Sequence, residues 1–341
     1  MSRKTIKKGS RNGCNRYLCK DCFSRFNVDH RRFEKPLWVP HIDGIPFRKL
    51  GDENNLVASQ VYKRVFEELK TLPSNLEITK TLCEYKSGIL IIDGKYIKVR
   101  GHKKKIPFIY VIDYETHDIL FSVVSKAEDE ITFLKIFKTL KELNYSLQVV
   151  VADDRSSLPL ALKQVFPNVP LQLCLNHYLE NIRQLLHIRT NTIHQHFFNA
   201  LKKYVFDEYQ DDKKLDEFLV YVFNKFCLDF SVRRQIVKEI SRRRKLLFVY
   251  KNIDNCPDNT NLIELFNSHF NARLKSLKGF KIMEHAKLWL NAIILRRRTQ
   301  PFTDCSSKFK HLNGKTSLEM SIKKQAPWPE ILGIKAPKSE R

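Results

Sequence analysis

Ile89-Leu90-Ile91-Ile92-Asp93-Gly94-Lys95-Tyr96-Ile97-Lys98-Val99 is the stretch on which the architecture turns. Its first four residues form an apolar run suited to a strand buried on both faces. A carboxylate then interrupts the run. Burying Asp93 without a partner would be costly, so it either ends the strand beside Gly94 or is held there for a purpose. Working outward, the basic turn Arg100-Gly101-His102-Lys103-Lys104-Lys105 leads to a second strand at Ile106–Tyr114. The turn Glu115-Thr116-His117-Asp118 leads to a third at Ile119–Val124, and the three sit at hairpin spacing. An amphipathic helix follows at Glu130–Leu143, with Ile131, Leu134, Phe137 and Leu140 on its apolar face. Next come a strand at Leu147–Ala152, a helix to Phe166 and a strand at Pro170–Cys174. The order β-β-β-α-β-α-β predicts an α/β fold, a mixed sheet with helices on both faces.

A second carboxylate ends the strand in Val149-Val150-Val151-Ala152-Asp153-Asp154. Ligand sites in α/β sheets gather at the carboxyl ends of strands. In the ribonuclease-H-like topology that this element order suggests, the first and fourth strands are central neighbours, which lets Asp93 and Asp153 meet. Read alone, Asp153 or Asp154 is also placed to cap the following helix. Asp153 is preferred to Asp154 for the site because it directly follows the strand. A third carboxylate stands early in the helix of Asn259-Thr260-Asn261-Leu262-Ile263-Glu264-Leu265-Phe266-Asn267. Ile263, Phe266, Phe270, Leu274 and Leu277 make its apolar stripe. Glu264, Asn267, Asn271, Lys275 and Lys278 fall on a polar face that suits a metal followed by a phosphate backbone. The competing reading of Glu264 is a capping box with Asn261 as N-cap.

Charge narrows the class of partner. The 341 residues carry 61 Lys and Arg against 37 Asp and Glu, a formal net charge of +24. Such an excess suits a polyanion, nucleic acid before an anionic membrane surface. No apolar run reaches the length of a membrane span and MSRKTIKKGS has no apolar signal core, so a cytoplasmic protein is expected. The basic runs Arg100–Lys105, Arg242–Lys245 and Arg296–Arg298 are candidates to hold phosphates. The helices expected at Pro46–Leu50 and Val57–Leu69 suit a helix-turn-helix that offers Gln60, Lys63 and Arg64 to DNA, or a plain packing module. Cys14, Cys19 and Cys22 cluster in a segment with too few apolar residues for its own core, which a metal would staple.

Three strings together, IIDGKYIKV, VVVADDRSSLPLALKQVFPNVPLQLCLNHYLENIR and NTNLIELFNSHFNARLKSLKGF, resemble the catalytic blocks of DDE transposases. The resemblance is to bacterial and archaeal insertion-sequence enzymes related to the Mutator-like group, and it covers roughly residues 88–298. The middle block is the most specific, with its aspartate after a strand and then Cys174-x-x-His177 and Asn181. The resemblance implies a ribonuclease-H-like catalytic core in which Asp93, Asp153 and Glu264 bind divalent metal. Two cations about 3.5–4 Å apart can activate the attacking oxygen and stabilise the leaving one, and hard oxygen ligands select Mg²⁺ or Mn²⁺. Asp93 would bridge both ions, with Asp153 and Glu264 each holding one. Cys174 and His177 are too few for a structural zinc site and are expected to pack or hydrogen-bond beneath the carboxylates.

The implied organisation is a basic segment 1–30 with a partial zinc knuckle, a helix-turn-helix-like module 41–73 and a catalytic core in two parts, 86–177 and 256–300. A helical insertion 178–255 separates the parts, and an irregular basic tail 301–341 follows. His30 is the residue on hand to complete a zinc set with Cys14, Cys19 and Cys22; an unmetallated remnant is the other reading. The implied partners are double-stranded DNA, as transposon ends and target, and further copies of the chain, a homodimer or larger assembly at the nucleoid. Two other readings stay open: a transposase-derived DNA-binding protein without catalysis, and a ribonuclease-H-fold nuclease without strand transfer.

Overall fold

The computed structural model describes residues 4–11, 14–29, 35–209, 211–277 and 279–337. His30 and Lys278 lie outside the described residues, and of Cys14 only the backbone is described.

Three strands, β1 (Thr5–Arg11), β2 (Cys14–Cys19) and β3 (Arg25–Asp29), form an antiparallel meander at the start of the chain. Apolar patterning misses them because no core holds them: Ile6 and Phe26 stay 37% and 38% exposed. Backbone pairing and the cross-strand stack of Tyr17 on Phe26, at 5.6 Å, do the holding.

Four helices follow: α1 (Trp38–Ile42), α2 (Phe47–Asn54), α3 (Ala58–Lys70) and α4 (Asn75–Leu82). Pro46 stands in extended conformation just before α2, and Asn55 ends that helix at φ 53°, a left-handed turn that asparagine tolerates. Val61, Val65, Phe66 and Leu69 of α3 are buried, as the helical spacing predicts.

The central sheet contains β4 (Ile89–Ile97), β5 (Ile106–Asp113), β6 (Ile119–Val124), β7 (Val149–Ala152) and β8 (Leu171–Leu173) in the order β6-β5-β4-β7-β8. β4, β5 and β6 pair antiparallel, whereas β4–β7 and β7–β8 are parallel. This is the expected ribonuclease-H-like mixed sheet, with the first and fourth strands adjacent. α5 (Glu130–Glu142) and α6 (Ser157–Val165) are the crossovers. The apolar face of α5 is rotated from the expected one: Phe133, Ile136, Phe137 and Leu140 are buried, and Ile131 is 77% exposed.

Residue alternation along β4 separates two cores. Leu90 and Ile92 pack with α5, α6 and a run of helices: α7 (Leu175–Leu185), α8 (Gln195–Leu201), α9 (Asp212–Phe226) and α10 (Ser231–Leu247). Ile89 and Ile91 pack on the other face with α1 to α4, α11 (Asn261–Leu277) and α12 (Met283–Arg298).

The tail departs from the irregular coil expected of it. It forms a 3₁₀ turn at Ser307–Leu312 and the short helix α13 (Ser317–Ser321), then returns to α1, where Leu332 O accepts from Trp38 Nε1 at 2.9 Å. Two of the three basic runs are partly paired within the fold. Arg242, Arg243 and Arg244 pair with Glu239, Asp154 and Asp216. Arg296 forks onto Asp43 with both bonds at 2.8 Å, and Arg298 is fully buried against Asp118. The turn Arg100–Lys105 is exposed throughout.

Candidate active site

Register brings the first two carboxylates together. Ile92 pairs with Ala152 in the parallel β4–β7 ladder, so Asp93 and Asp153 are the next residues on adjacent strands. Asp93 faces α11, where Asn267 Nδ2 donates to Asp93 Oδ2 at 2.7 Å. Tyr110, the cross-strand neighbour of Asp93 on β5, donates its hydroxyl to Asn267 Oδ1. Burial, and then the nearby charge of Asp153, push the Asp93 carboxyl up to about 6, against the hydrogen bonds from Gly94 and Asn267.

Asp153 does not cap α6, whose N-cap is Ser156. Its Oδ1 lies 2.6 Å from His177 Nδ1, and beyond that contact no hydrogen-bond donor serves the buried atom among the described residues. Asp154 is turned elsewhere and receives both terminal nitrogens of Arg243 on α10. The two neighbours are thereby distinguished: Asp153 faces Asp93, and Asp154 anchors a helix.

Glu264 projects from the first turn of α11. The capping box expected as its alternative does not form, because α11 begins at Asn261 itself and the Asn261 side chain accepts from Asn176 Nδ2 at 2.7 Å. Glu264 Oε1 stands 3.7 Å from His177 Nε2, an ion-pair rather than a hydrogen-bond distance. One imidazole therefore lies between Asp153 and Glu264. Among the described residues, the three-ligand group within 4.8 Å is Asp153, Cys174 and His177, not the three carboxylates. Hydrogen bonding to Asp153, then to Cys174, raises the His177 imidazole to about 10.

The other expected residues divide. Asn267, placed with the DNA-facing residues, is 3% exposed and holds Asp93 instead. The reason is helical geometry: positions 263, 267 and 270 share a face, so Asn267 lies on the inward edge of the stripe. Asn271 and Lys275 are exposed on α11, and Lys63 is exposed on α3. Arg64, half-buried on α3, lies 3.3 Å from Glu68, whose Oε2 also accepts from the Leu37 and Trp38 amides. Cys19 closes β2 and Cys22 lies in the turn that follows. Sequence reading missed Tyr110 and Thr260. Tyr110 was accessible by counting register back from the β4–β5 turn, whereas Thr260, which donates to Cys174 Sγ at 3.3 Å, carries no local signal.

The donor set around Asp93 and Asp153 suits a divalent cation. A cavity of about 20 Å³, room for one water or ion, lies beside Asp93 and Asp153 with Glu128 and Arg155 in its wall. The underserved Asp153 Oδ1 and the mutual repulsion felt by Asp93 both fit a hard cation there. Gly94 keeps the space open, since a Cβ would stand 3.1 Å from Phe108 O and 3.3 Å from Glu128 Oε1.

Among curated proteins, the chain is similar to the transposase for insertion sequence element IS256 in transposon Tn4001 from Staphylococcus aureus, at 23% identity over 171 residues. A protein of the same description from Enterococcus faecalis (strain ATCC 700802 / V583) matches equally. Each match covers 47% of this chain and 44% of the relative, so it spans less than half the length of those proteins. Among solved structures, the Drosophila P element transposase strand transfer complex overlaps at 10% identity and a TM-score of 0.33, covering 80% of this chain and 94% of that one. The HTLV-2 integrase catalytic core domain in complex with magnesium overlaps at 15% identity and a TM-score of 0.23, covering 46% and 98%. Residues 55–298, most of the chain and all three acidic positions with it, match the family described as Transposase, Mutator family, and the chain belongs to that family.

Proposed function

We propose that this protein is a DNA transposase that cuts transposon ends and joins them to target DNA at one metal-dependent site. The observation that carries the reading is the side-by-side placement of Asp93 and Asp153 at the ends of β4 and β7, with Glu264 of α11 across His177. Mg²⁺ or Mn²⁺, held by Asp93 with Asp153 and by Asp93 with Glu264, would supply charge stabilisation for an in-line phosphoryl displacement. The chain's own residues do the rest. Asn267 orients Asp93, Arg155 lines the cavity beside Glu128, and the exposed Asn271, Lys275 and Arg100–Lys105 offer donors to phosphates.

Family membership and the net charge of +24 support double-stranded DNA as the substrate and a nucleoid location. Among the described residues, no helix is long and apolar enough to cross a membrane. Pairing of two transposon ends calls for at least a dimer. The chain reads as a catalytic core, 86–177 and 256–300, split by the helices of 178–255, with 41–73 as a helix-turn-helix-like reader that offers Lys63 to DNA. Zinc at the N-terminal ribbon would use Cys19 and Cys22, on one turn, with Cys14 and His30 completing the set.

The test is incubation of the purified chain with DNA carrying the element's ends, with and without Mg²⁺ or Mn²⁺. Metal-dependent nicking and joined products are expected, and both should vanish in Asp93→Ala. Full activity in that variant would overturn the reading. Binding without cleavage would instead indicate a DNA-binding derivative, and cleavage without joining a nuclease.

A further inference from the structure

The start of α11 is held to the site by the residues that open α7, and its second turn by Asn267 on Asp93 and Tyr110. Leu175 N donates to Asp258 O at 2.9 Å. Thr260 donates to Cys174 Sγ from its backbone N at 3.4 Å and from its hydroxyl at 3.3 Å. Asn176 bonds Asn261, and His177 faces Glu264. Glu264 lies 111 residues beyond Asp153 in the sequence, so chain connectivity does not position it. The packing of α11 on the sheet sets the helix, and the Cys174–His177 turn meets its first turn.

Within that turn the ring of His177 is approached at both of its nitrogens. Its Nδ1 lies 2.6 Å from Asp153 Oδ1, 3.2 Å from Cys174 Sγ and 3.5 Å from Thr260 Oγ1, while Nε2 is directed toward Glu264. A thiophilic metal held by Asp153, Cys174 and His177 is the obvious rival explanation. Tetrahedral ligands at bonds of about 2.0 Å stand about 3.3 Å apart. The observed Nδ1–Oδ1 separation of 2.6 Å is well short of that, which disfavours that rival.

We infer that His177, oriented by Cys174, is a positioning residue that spans Asp153 and Glu264 and sets their separation before any cation arrives. The inference rests on the reading of these two carboxylates as ligands to separate ions. Asp153 and Glu264 then need not touch, and a rigid spacer of one imidazole keeps each turned toward Asp93. Carboxylate ligands held by outer hydrogen bonds bind metal more tightly, and losing such a partner costs about 10- to 100-fold in affinity.

Mn²⁺ binding to the full chain, followed by the electron paramagnetic resonance of the free ion, tests this. His177→Ala should bind Mn²⁺ about 10- to 100-fold more weakly. Hydrogen exchange in the metal-free variant should quicken in the first turn of α11 and not in α5. Should His177→Ala fail to fold, His177→Gln, which keeps a donor toward Asp153 but cannot span to Glu264, and Cys174→Ser carry the same test with smaller losses. Unchanged or tighter Mn²⁺ binding with unchanged exchange would overturn the inference. If the wild type takes up no Mn²⁺, or Asp93→Asn binds it equally well, the underlying reading of the site fails instead.

Discussion

At the scale of single residues, the site is a place where stability is given up. Asp93 sits at about 6, above its ordinary 3.8, because its charged form is disfavoured by burial and by Asp153. A carboxyl raised in the folded state contributes full stability below its unfolded value and loses it as pH rises through the folded value. The metal-free protein should therefore lose stability between about pH 4 and pH 6 and stay lower above that range. Asp93→Asn is expected to stabilise the metal-free protein by about 1–3 kcal/mol at pH 7 while abolishing cleavage, measurable as a rise in Tm. A variant no more stable than the wild type at pH 7 would contradict the assigned cost. Asp153 and Asp154 should separate as sharply. Asp153→Asn should lose Mn²⁺ binding, whereas Asp154→Asn should retain it and lower Tm through the lost Arg243 fork; equal loss of metal in both would remove the distinction.

At the scale of elements, α11 is where sequence patterning and structure part company. Its stripe of Ile263, Phe266 and Phe270 was legible from spacing, and all three are buried. Asn267 was not legible as a buried residue, because an amide reads as surface until its partners are known. Its partners come from β4 and β5, more than 150 residues earlier in the chain. Since the Asn267 hydrogen bond favours the ionised form of Asp93, Asn267→Ala should raise the Asp93 carboxyl further. The pH at half-maximal Mn²⁺ binding should then move upward; a profile that stays in place would separate Asn267 from the site.

For the whole molecule, Arg298 and Asp118 form the buried joint that ties the end of α12 to the sheet and the tail. Arg298 donates to Asp118 at 2.9 and 2.7 Å and to Asn75 Oδ1 at 2.7 Å, and Ser317 of α13 donates to Asp118 at 3.0 Å. Both charged side chains are fully buried. Removing one partner strands the other charge in the core, so Arg298→Ala should cost about 3–5 kcal/mol. Denaturant unfolding would show it, and a loss below about 1 kcal/mol would mean that solvent reaches the joint. In sequence, Arg298 looked like the end of a basic run available to phosphates. A positive charge in a helix that is otherwise buried on this side is better explained by a partner across the fold.

What the sequence determined by itself is the order of strands and helices, and hence the mixed sheet and the neighbouring ends of β4 and β7. Those follow from local periodicity and from the few ways such an order can close a core. Tertiary structure alone decided which of Asp153 and Asp154 faces Asp93, that Asn267 turns inward, that Arg243, Arg296 and Arg298 are paired across the fold, and that an imidazole stands between Asp153 and Glu264. Each is a contact between residues far apart in the chain. Charge and polarity in a sequence say what a side chain can bind, but only packing says which partner reaches it first.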